Sequence, residues 1–267
     1  MSDTTSPFDA IFDGHAEEPM RSAQRGMRPE LPKRFWSDVA LSESGGFYEI
    51  QLDGRPARTP GRKPLGSANL AVAEQLAIEW RNVGERLDPL TLPLTRLINV
   101  AIDRVEARRD EIVDDLVSYA GSDLLCYRAD RPEGLVAIQA EHWDPHLTWI
   151  DKVYGVQLNL AQGVMPAEQS PGALDAYGSA VRTIAATAEV LAALSLATTL
   201  TGSAVLGLRL ASGTITSDEA WAAAHVDEDW NRRQWGEDDE ATRLREGRKR
   251  DFHCAAFVLA AHAPEAS

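Results

Sequence analysis

The chain has 267 residues, of which 44% are hydrophobic and 25% are charged, proportions that are typical of a globular protein with one large domain or two small ones. Acidic residues outnumber lysine and arginine by 41 to 27, and the resulting net charge of −14 argues against non-specific nucleic-acid binding, which depends on neutralising phosphates. The same charge favours solubility or a basic protein partner.

The first 30 residues are predicted to form a flexible polar arm. They contain no apolar signal core, and five acids among the first 18 residues are unlike a mitochondrial presequence, which is poor in acids. The two cysteines, Cys126 and Cys254, lie too far apart to indicate a disulfide framework or a zinc site, so a reducing compartment is expected. We expect the cytoplasm of a bacterium, or the mitochondrial matrix if the chain is a processed organellar protein.

Residues 31–130 are predicted to form a β-rich α+β domain. RFWSDVAL (34–41), FYEIQL (47–52) and RPART (55–59) have strand character, and Asp53-Gly54 is a strong hairpin signal. Helices are expected at 67–82, capped by Ser67, and over 95–119 as two segments that divide near Arg104. LLCYRA (124–129) is compatible with a short strand.

Residues 131–267 are predicted to form a helical domain. The predicted helices begin at Asp144-Pro145, at Pro171 and, through a Thr216/Glu219 capping box, at 217–234. The Pro171 helix is expected to continue to residue 190, and VQLNL (156–160) has strand character. Residues 237–250 are acidic first and basic last, as a helix dipole favours. The pattern of FHCAAFVLAA (252–261) fits a helix or a strand.

Residues 190–208 carry no charge over 19 positions, which is nominally enough to span a bilayer. Several serines and threonines and a break at Gly202-Ser203 instead favour a buried helix pair, and stable membrane insertion is not expected.

The order of these strands and helices predicts an α+β chain, with a small β-rich N-terminal domain followed by a mainly α-helical C-terminal domain.

Sequence motifs for catalysis are missing. The chain contains no dinucleotide fingerprint, no phosphate-binding loop and no nucleophile elbow. His142 and His146 are four residues apart, but without a third ligand they are weak candidates for a metal site. We expect no cofactor and no enzymatic activity. An alternative is a small-molecule hydrolase that uses carboxylates in an interdomain cleft.

The segment WNRRQWGEDDEA (230–241) is the strongest candidate site. Trp221, Trp230 and Trp235 cannot all lie on one helix face, because their offsets of 9 and 5 residues place them at widely different angles. One interpretation is a helix between two packed layers. The other is a docking patch, since tryptophan and arginine are enriched at binding hot spots and the acids at 237–240 would suit a basic partner.

Six motifs in order resemble a known family. They are RFW (34–36), LDGRPARTP (52–60), EW (79–80), DLLCYRA (123–129), WDPHLTW (143–149) and WG followed by acids (235–240). Together they resemble the F-type ATP synthase assembly chaperones that attend the alpha subunit of the catalytic sector. The resemblance covers residue 33 to the C-terminus.

The resemblance implies a two-domain α+β fold without catalysis or cofactor. It implies binding of the unassembled alpha subunit, whose interface the chaperone shields until the beta subunit replaces it. The partner-binding residues it implies are Trp230, Trp235, Gly236, Glu237, Asp238, Asp239 and Glu240, and the functionally important acid corresponds to Asp239 or Glu240. LDGRPARTP and WDP are predicted to serve chiefly the fold.

Overall fold

The computed structural model describes residues 31–163, 167–236 and 238–263, so the predicted N-terminal arm lies outside the described residues. The fold is α+β as predicted, with a small sheet followed by helices. It divides into two compact units, one ending at Arg104 and the other beginning at Val105. The predicted boundary at residue 130 lies inside the second unit, because the helix before it packs against helices that follow it.

An antiparallel sheet opens the first unit. Strand β1 (Val39–Ser44) pairs with β2 (Phe47–Leu52), and β2 also pairs with β3 (Arg55–Pro56) and β4 (Gly66–Ser67). The hairpin predicted at Asp53-Gly54 is confirmed, and a second tight turn, at Gly45-Gly46, joins β1 to β2. The first strand begins at residue 39 and not at 34, because Arg34 N–H donates instead to the Glu85 carbonyl at 2.9 Å.

The helices of the first unit are shorter than predicted. Helix α1 is Leu70–Arg81, and its cap is Asn69, whose side chain accepts from two backbone N–H groups, whereas the predicted cap Ser67 lies in β4. Helix α2 (Pro93–Val100) ends early because the backbone widens into a π turn over Ala101–Val105. Two 3-10 turns, Pro89–Thr91 and Glu106–Arg108, flank this region.

The EW motif connects α1 to α2. The Glu79 carboxylate accepts hydrogen bonds from Leu94 N–H at 2.9 Å and Thr95 N–H at 2.8 Å, and so satisfies backbone donors at the start of α2. The Trp80 indole donates to the Thr95 hydroxyl at 2.9 Å. Burial raises the pKa of Glu79 even though these donors oppose the shift. This carboxylate is therefore committed to the fold.

LDGRPARTP also serves the fold. Asp53 has a φ of 48°, and its carboxylate accepts from Ser37 N–H at 3.0 Å and Asp38 N–H at 2.8 Å. These two hydrogen bonds lower the pKa of Asp53. Further along, the Thr59 hydroxyl donates to Asp103 at 2.8 Å. The motif therefore fixes the hairpin and the loop that follows it.

The second unit consists of helices and one small parallel pair, β5 (Tyr127–Arg128) with β6 (Ala161–Gln162). The strand predicted within 124–129 is confirmed only at 127–128, because 124–126 form a 3-10 turn, and 156–160 are not a strand. The helices are α3 (Arg109–Gly121), α4 (Glu133–Tyr154), α5 (Pro171–Ile184), α6 (Ala188–Thr201), α7 (Ala204–Ala211), α8 (Ser217–Ala224), α9 (Val226–Trp235) and α10 (Asp239–His262).

Two predicted helix bounds are wrong. Helix α4 begins at Glu133, so that Pro145 lies in its interior, and Asp144 forms an ion pair with Arg128 at 2.7 Å instead of capping a helix. Helix α5 ends at Ile184, because the Thr187 side chain caps a new helix, α6. The C-terminal segment 252–261, which the pattern left open, is helical.

The uncharged stretch forms the predicted buried helix pair. Helices α6 and α7 are separated by Gly202, at a left-handed φ of 66°, and by Ser203, which caps α7. Nine of the 14 residues of α6 are buried. Among the described residues, no helix has the length and apolar character needed to cross a bilayer.

The fully buried Asp123 anchors this pair. Its carboxylate accepts from Leu125 N–H at 2.9 Å, Val205 N–H at 2.9 Å and the Ser203 hydroxyl at 3.0 Å. These hydrogen bonds satisfy donors at the start of α7 and in the 3-10 turn at 124–126 with one acceptor group. DLLCYRA thus holds two distant segments in register.

Replacing Asp123 with alanine should lower the free energy of unfolding by more than about 3 kcal/mol, because three donors lose their acceptor in a dry site. Urea unfolding measures this change. Asp114→Ala, on an exposed position of α3, is the matched control and should change stability by less than about 0.5 kcal/mol. Equal effects of the two variants would contradict the anchoring role.

The same group predicts a pH dependence. Burial raises the pKa of Asp123 from 3.8 to about 6, so the native state holds this proton more tightly than the unfolded chain. The free energy of unfolding should therefore fall as pH rises from about 4 to 6, by about 3 kcal/mol relative to the non-titrating Asp123→Asn variant. Urea unfolding of both proteins between pH 4 and 7 tests this. A pH-independent difference would contradict it.

Candidate docking site

The segment expected as one helix over 217–234 is two helices, α8 and α9. The predicted capping box is confirmed, with Thr216 and Glu219 bonded reciprocally at the start of α8. The chain breaks at His225, whose buried ring stacks on Trp221 with centroids 3.8 Å apart. Burial lowers the pKa of His225, which favours its neutral form. The break redirects α9 relative to α8.

The three tryptophans have different environments, as their angular offsets predict. Trp221 is buried, with its ring centroid 5.3 Å from that of Phe252. Trp230 is half-buried, and its ring lies so close to Gly134 of α4 that a Cβ there would be 2.8 Å from it. Trp235 is 87% exposed at the last residue of α9. Only Trp235 is fully available to a partner.

A short connection joins α9 to α10. Gly236 ends α9 with φ 85° and ψ −173°. Asp238 caps α10, its side chain accepting from Ala241 N–H at 3.2 Å. Asp239 and Glu240 form the first turn of α10 and are exposed, where carboxylates suit the helix dipole. Glu237 lies outside the described residues. The exposed residues at this end are hereafter called the tip: Trp235, Gly236, Asp238, Asp239 and Glu240.

Polar contacts, not apolar burial, join the two helices behind the tip. In α9 the only buried residue is Val226, and in α10 the buried residues begin at Phe252. Between them, the Asp229 carboxylate accepts from Arg232 at 3.3 Å and Arg245 at 2.5 Å. The Arg245 side chain is 14% exposed, so this pair is partly shielded from water.

The structure brings most of the predicted site residues together. Trp235, Gly236, Asp238, Asp239 and Glu240 are contiguous and exposed, whereas Trp230 turns onto α4. Three residues that were not predicted from the sequence line the grooves between α9 and α10: Asp229, Arg245 and Glu228. The spacing of Asp229 and Arg232 predicts a pair on one helix, but the partnership with Arg245 depends on tertiary structure.

The two histidines of α4 form no evident metal site. His146 is buried, and its Nδ1 lies 2.8 Å from Arg209 Nη1. Burial and the Arg209 charge lower the pKa of His146 to about 4. Over the described ranges, no group of three or more histidine, cysteine or acidic side chains could hold a metal ion. His146 is best explained as a packed, neutral side chain.

Two of the signature motifs contact each other. The Arg128 side chain is 9% exposed, its guanidinium lies over the Trp143 ring at 5.2 Å, and it pairs with Asp144. The Trp143 indole donates to the Ala223 carbonyl at 2.7 Å, which fixes the end of α8. DLLCYRA and WDPHLTW therefore support the base from which α9 extends.

Known proteins share this architecture. Residues 33–151 match the family described as ATP12 chaperone protein. A putative chaperone from Agrobacterium tumefaciens is 42% identical, with a TM-score of 0.82, and the match covers 94% of this chain and 93% of that one. Atp12 from Paracoccus denitrificans is 36% identical, with a TM-score of 0.78, over 86% of this chain and 98% of that one.

A more distant relative is mitochondrial. The protein named atp12, mitochondrial, from Schizosaccharomyces pombe is 24% identical over 221 residues, covering 78% of this chain and 75% of that protein. The chain shares its α+β fold with the solved structures along nearly their full length. This likeness places it among the chaperones of this architecture. The chain belongs to the ATP12 chaperone family. This membership supports a role as a chaperone in ATP synthase assembly.

The different burial of the two site tryptophans predicts different effects on stability. Trp230→Ala should lower the free energy of unfolding by about 1–3 kcal/mol, because its ring loses packing on Gly134. Trp235→Ala is its matched control and should change stability by less than about 0.5 kcal/mol, because its side chain is exposed. Urea unfolding of both variants is the measurement. A large loss from Trp235→Ala would show that this ring packs against the protein.

Proposed function

We propose that this protein binds the unassembled alpha subunit of the F-type ATP synthase catalytic sector. It shields the apolar interface of that subunit until the beta subunit takes its place. The tip between α9 and α10 carries the contact. Trp235 supplies the apolar anchor, and Asp238, Asp239 and Glu240 supply a negative rim.

The observation that carries the proposal is the 87% exposure of Trp235. Tryptophan is highly buried on average in folded proteins, and it is enriched among the residues that dominate binding energy. The tryptophans at 36, 143 and 221 are buried. Those at 80, 149 and 230 are half-buried, so Trp235 is the tryptophan whose ring is left exposed for a partner.

A chaperone of this kind has to release its client. An affinity on the order of micromolar permits displacement by a native partner. A small tip with one aromatic anchor suits such an affinity, because a few anchors rather than total area determine binding strength. The surrounding acids would orient the partner and raise the rate of association with its basic surface.

The carboxylates support a binding role over catalysis. Burial raises the pKa of Glu79 and of Asp123, as a general acid would require. However, Glu79 accepts from the backbone at the start of α2, and Asp123 does the same at the start of α7. Both groups are used as helix caps, and a third carboxylate whose pKa burial raises, Asp115, is only half-buried on α3. We therefore propose that the protein is not an enzyme.

Its relatives suggest where it acts. The solved relatives come from bacteria, and the Schizosaccharomyces pombe relative is named as mitochondrial. We place this protein where an F-type catalytic sector is assembled, in the bacterial cytoplasm or the mitochondrial matrix.

The direct test is co-purification with the alpha and beta subunits of the organism's own ATP synthase, each expressed alone. The wild type should capture alpha and not beta. Replacing Asp239 and Glu240 with lysine should weaken capture of alpha by about tenfold or more, because the rim then repels a basic surface. The fold should be retained, since both side chains are exposed.

The matched control is Glu74→Lys with Asp114→Lys, which makes the same change in net charge at exposed positions of α1 and α3. This control should capture alpha as the wild type does. Equal losses in the two double variants would show a general charge effect and contradict the site. No capture of alpha by the folded wild type would contradict the function.

A further inference from the structure

A groove runs between α9 and α10 directly beside Trp235. It encloses about 290 Å³, and its lining includes Trp235, Gly236 and Ala241 together with four charged side chains. Sites for small organic ligands usually enclose about 300–1,000 Å³ and are deeper. The size of this groove, hereafter the Trp235 groove, fits one inserted side chain.

Two guanidinium groups and two carboxylates line the Trp235 groove, and they differ in their contacts. Its two guanidinium groups, Arg232 and Arg245, already share the Asp229 carboxylate. Its carboxylates are Glu228 and Asp238. In the described part of the chain, the only ion-pair contact of Glu228 is with the ring of His225 at 3.8 Å, and Asp238 has no lysine or arginine in range.

Neither carboxylate is neutralised by these contacts. Burial lowers the pKa of His225, so its ring is uncharged at neutral pH. Asp238 accepts one backbone N–H at the start of α10, which leaves lone pairs free. The Glu228 side chain is 45% exposed and is therefore accessible from the groove mouth.

A second groove lies on the other side of the Asp229 contacts and provides an internal comparison. It encloses about 380 Å³ and shares Arg232, Arg245 and Thr242 with the first. It also contains Lys249, which lies 3.8 Å from Asp218. Besides the two shared arginines, the second groove therefore contains a lysine, whereas the lining of the Trp235 groove contains none.

We propose that the Trp235 groove receives a lysine or arginine side chain of the bound protein, with its charge held by Glu228 and Asp238. The aliphatic stem packs along Trp235, and the cation can also approach the ring face. This proposal rests on the proposed function for the identity of the partner. It adds Glu228 to the docking site and identifies the partner's contact residue as a basic one, lysine or arginine.

The test compares Glu228→Gln with Glu246→Gln, which makes the same change in the second groove. Binding of the isolated alpha subunit is titrated with each full-length variant at low and high salt. Glu228→Gln should weaken binding by about five- to twentyfold at low salt and reduce its salt dependence, because a charge-assisted contact is lost. Glu246→Gln should remain within about twofold of the wild type.

Thermal unfolding of both variants confirms that each is folded. If the wild type binds alpha, the affinities of the two variants for alpha test the groove proposal, and equal affinities overturn it. If the wild type does not bind alpha, the proposed function fails and a second probe decides on the groove alone.

That probe is a capped Leu-Arg-Leu peptide, with a Leu-citrulline-Leu peptide as its uncharged match. The readout is the indole N–H resonance of Trp235, assigned from the Trp235→Phe variant. A shift with the arginine peptide that is absent with citrulline, and absent in Glu228→Gln, supports the groove. The same response to both peptides overturns it.

Discussion

The second unit depends on one buried carboxylate. Asp123 accepts from Leu125, Ser203 and Val205, and so joins the turn after α3 to the start of α7. Those bonds hold the uncharged α6–α7 pair in register, and α10 packs its second half along α6. A charge placed in a dry site costs energy, which the raised pKa of Asp123 reflects, but it gives three donors a single acceptor.

The two halves of α10 differ in their burial. The half that begins at Phe252 is packed into the core, whereas the first half has no buried residue and extends to the tip. Helix α9 is held in turn by Trp230 on Gly134, and the Asp229–Arg245 contact joins it to α10. A packed base and a polar, exposed end suit the proposed binding and release of a client.

Much of this could be predicted from the sequence. Strong local signals, such as Asp53-Gly54 and the Thr216/Glu219 box, predicted turns and caps correctly because their geometry is decided within four residues. The Asp144-Pro145 start was wrong, because Pro145 is accommodated within α4 while Asp144 pairs with Arg128. The groove beside Trp235 could not be predicted, since Glu228 and Asp238 line one groove only when α9 and α10 are both in place.

The most direct test of the central claim is site-specific photo-cross-linking to the alpha subunit. A benzophenone amino acid is placed at position 235, and for comparison at Val153, which is 53% exposed elsewhere on the second unit. We expect an adduct with alpha from position 235, none from position 153, and loss of the adduct when beta is added. Adducts of equal yield from both positions would contradict the proposed site. So would the absence of an adduct from position 235 when that variant still co-purifies with alpha.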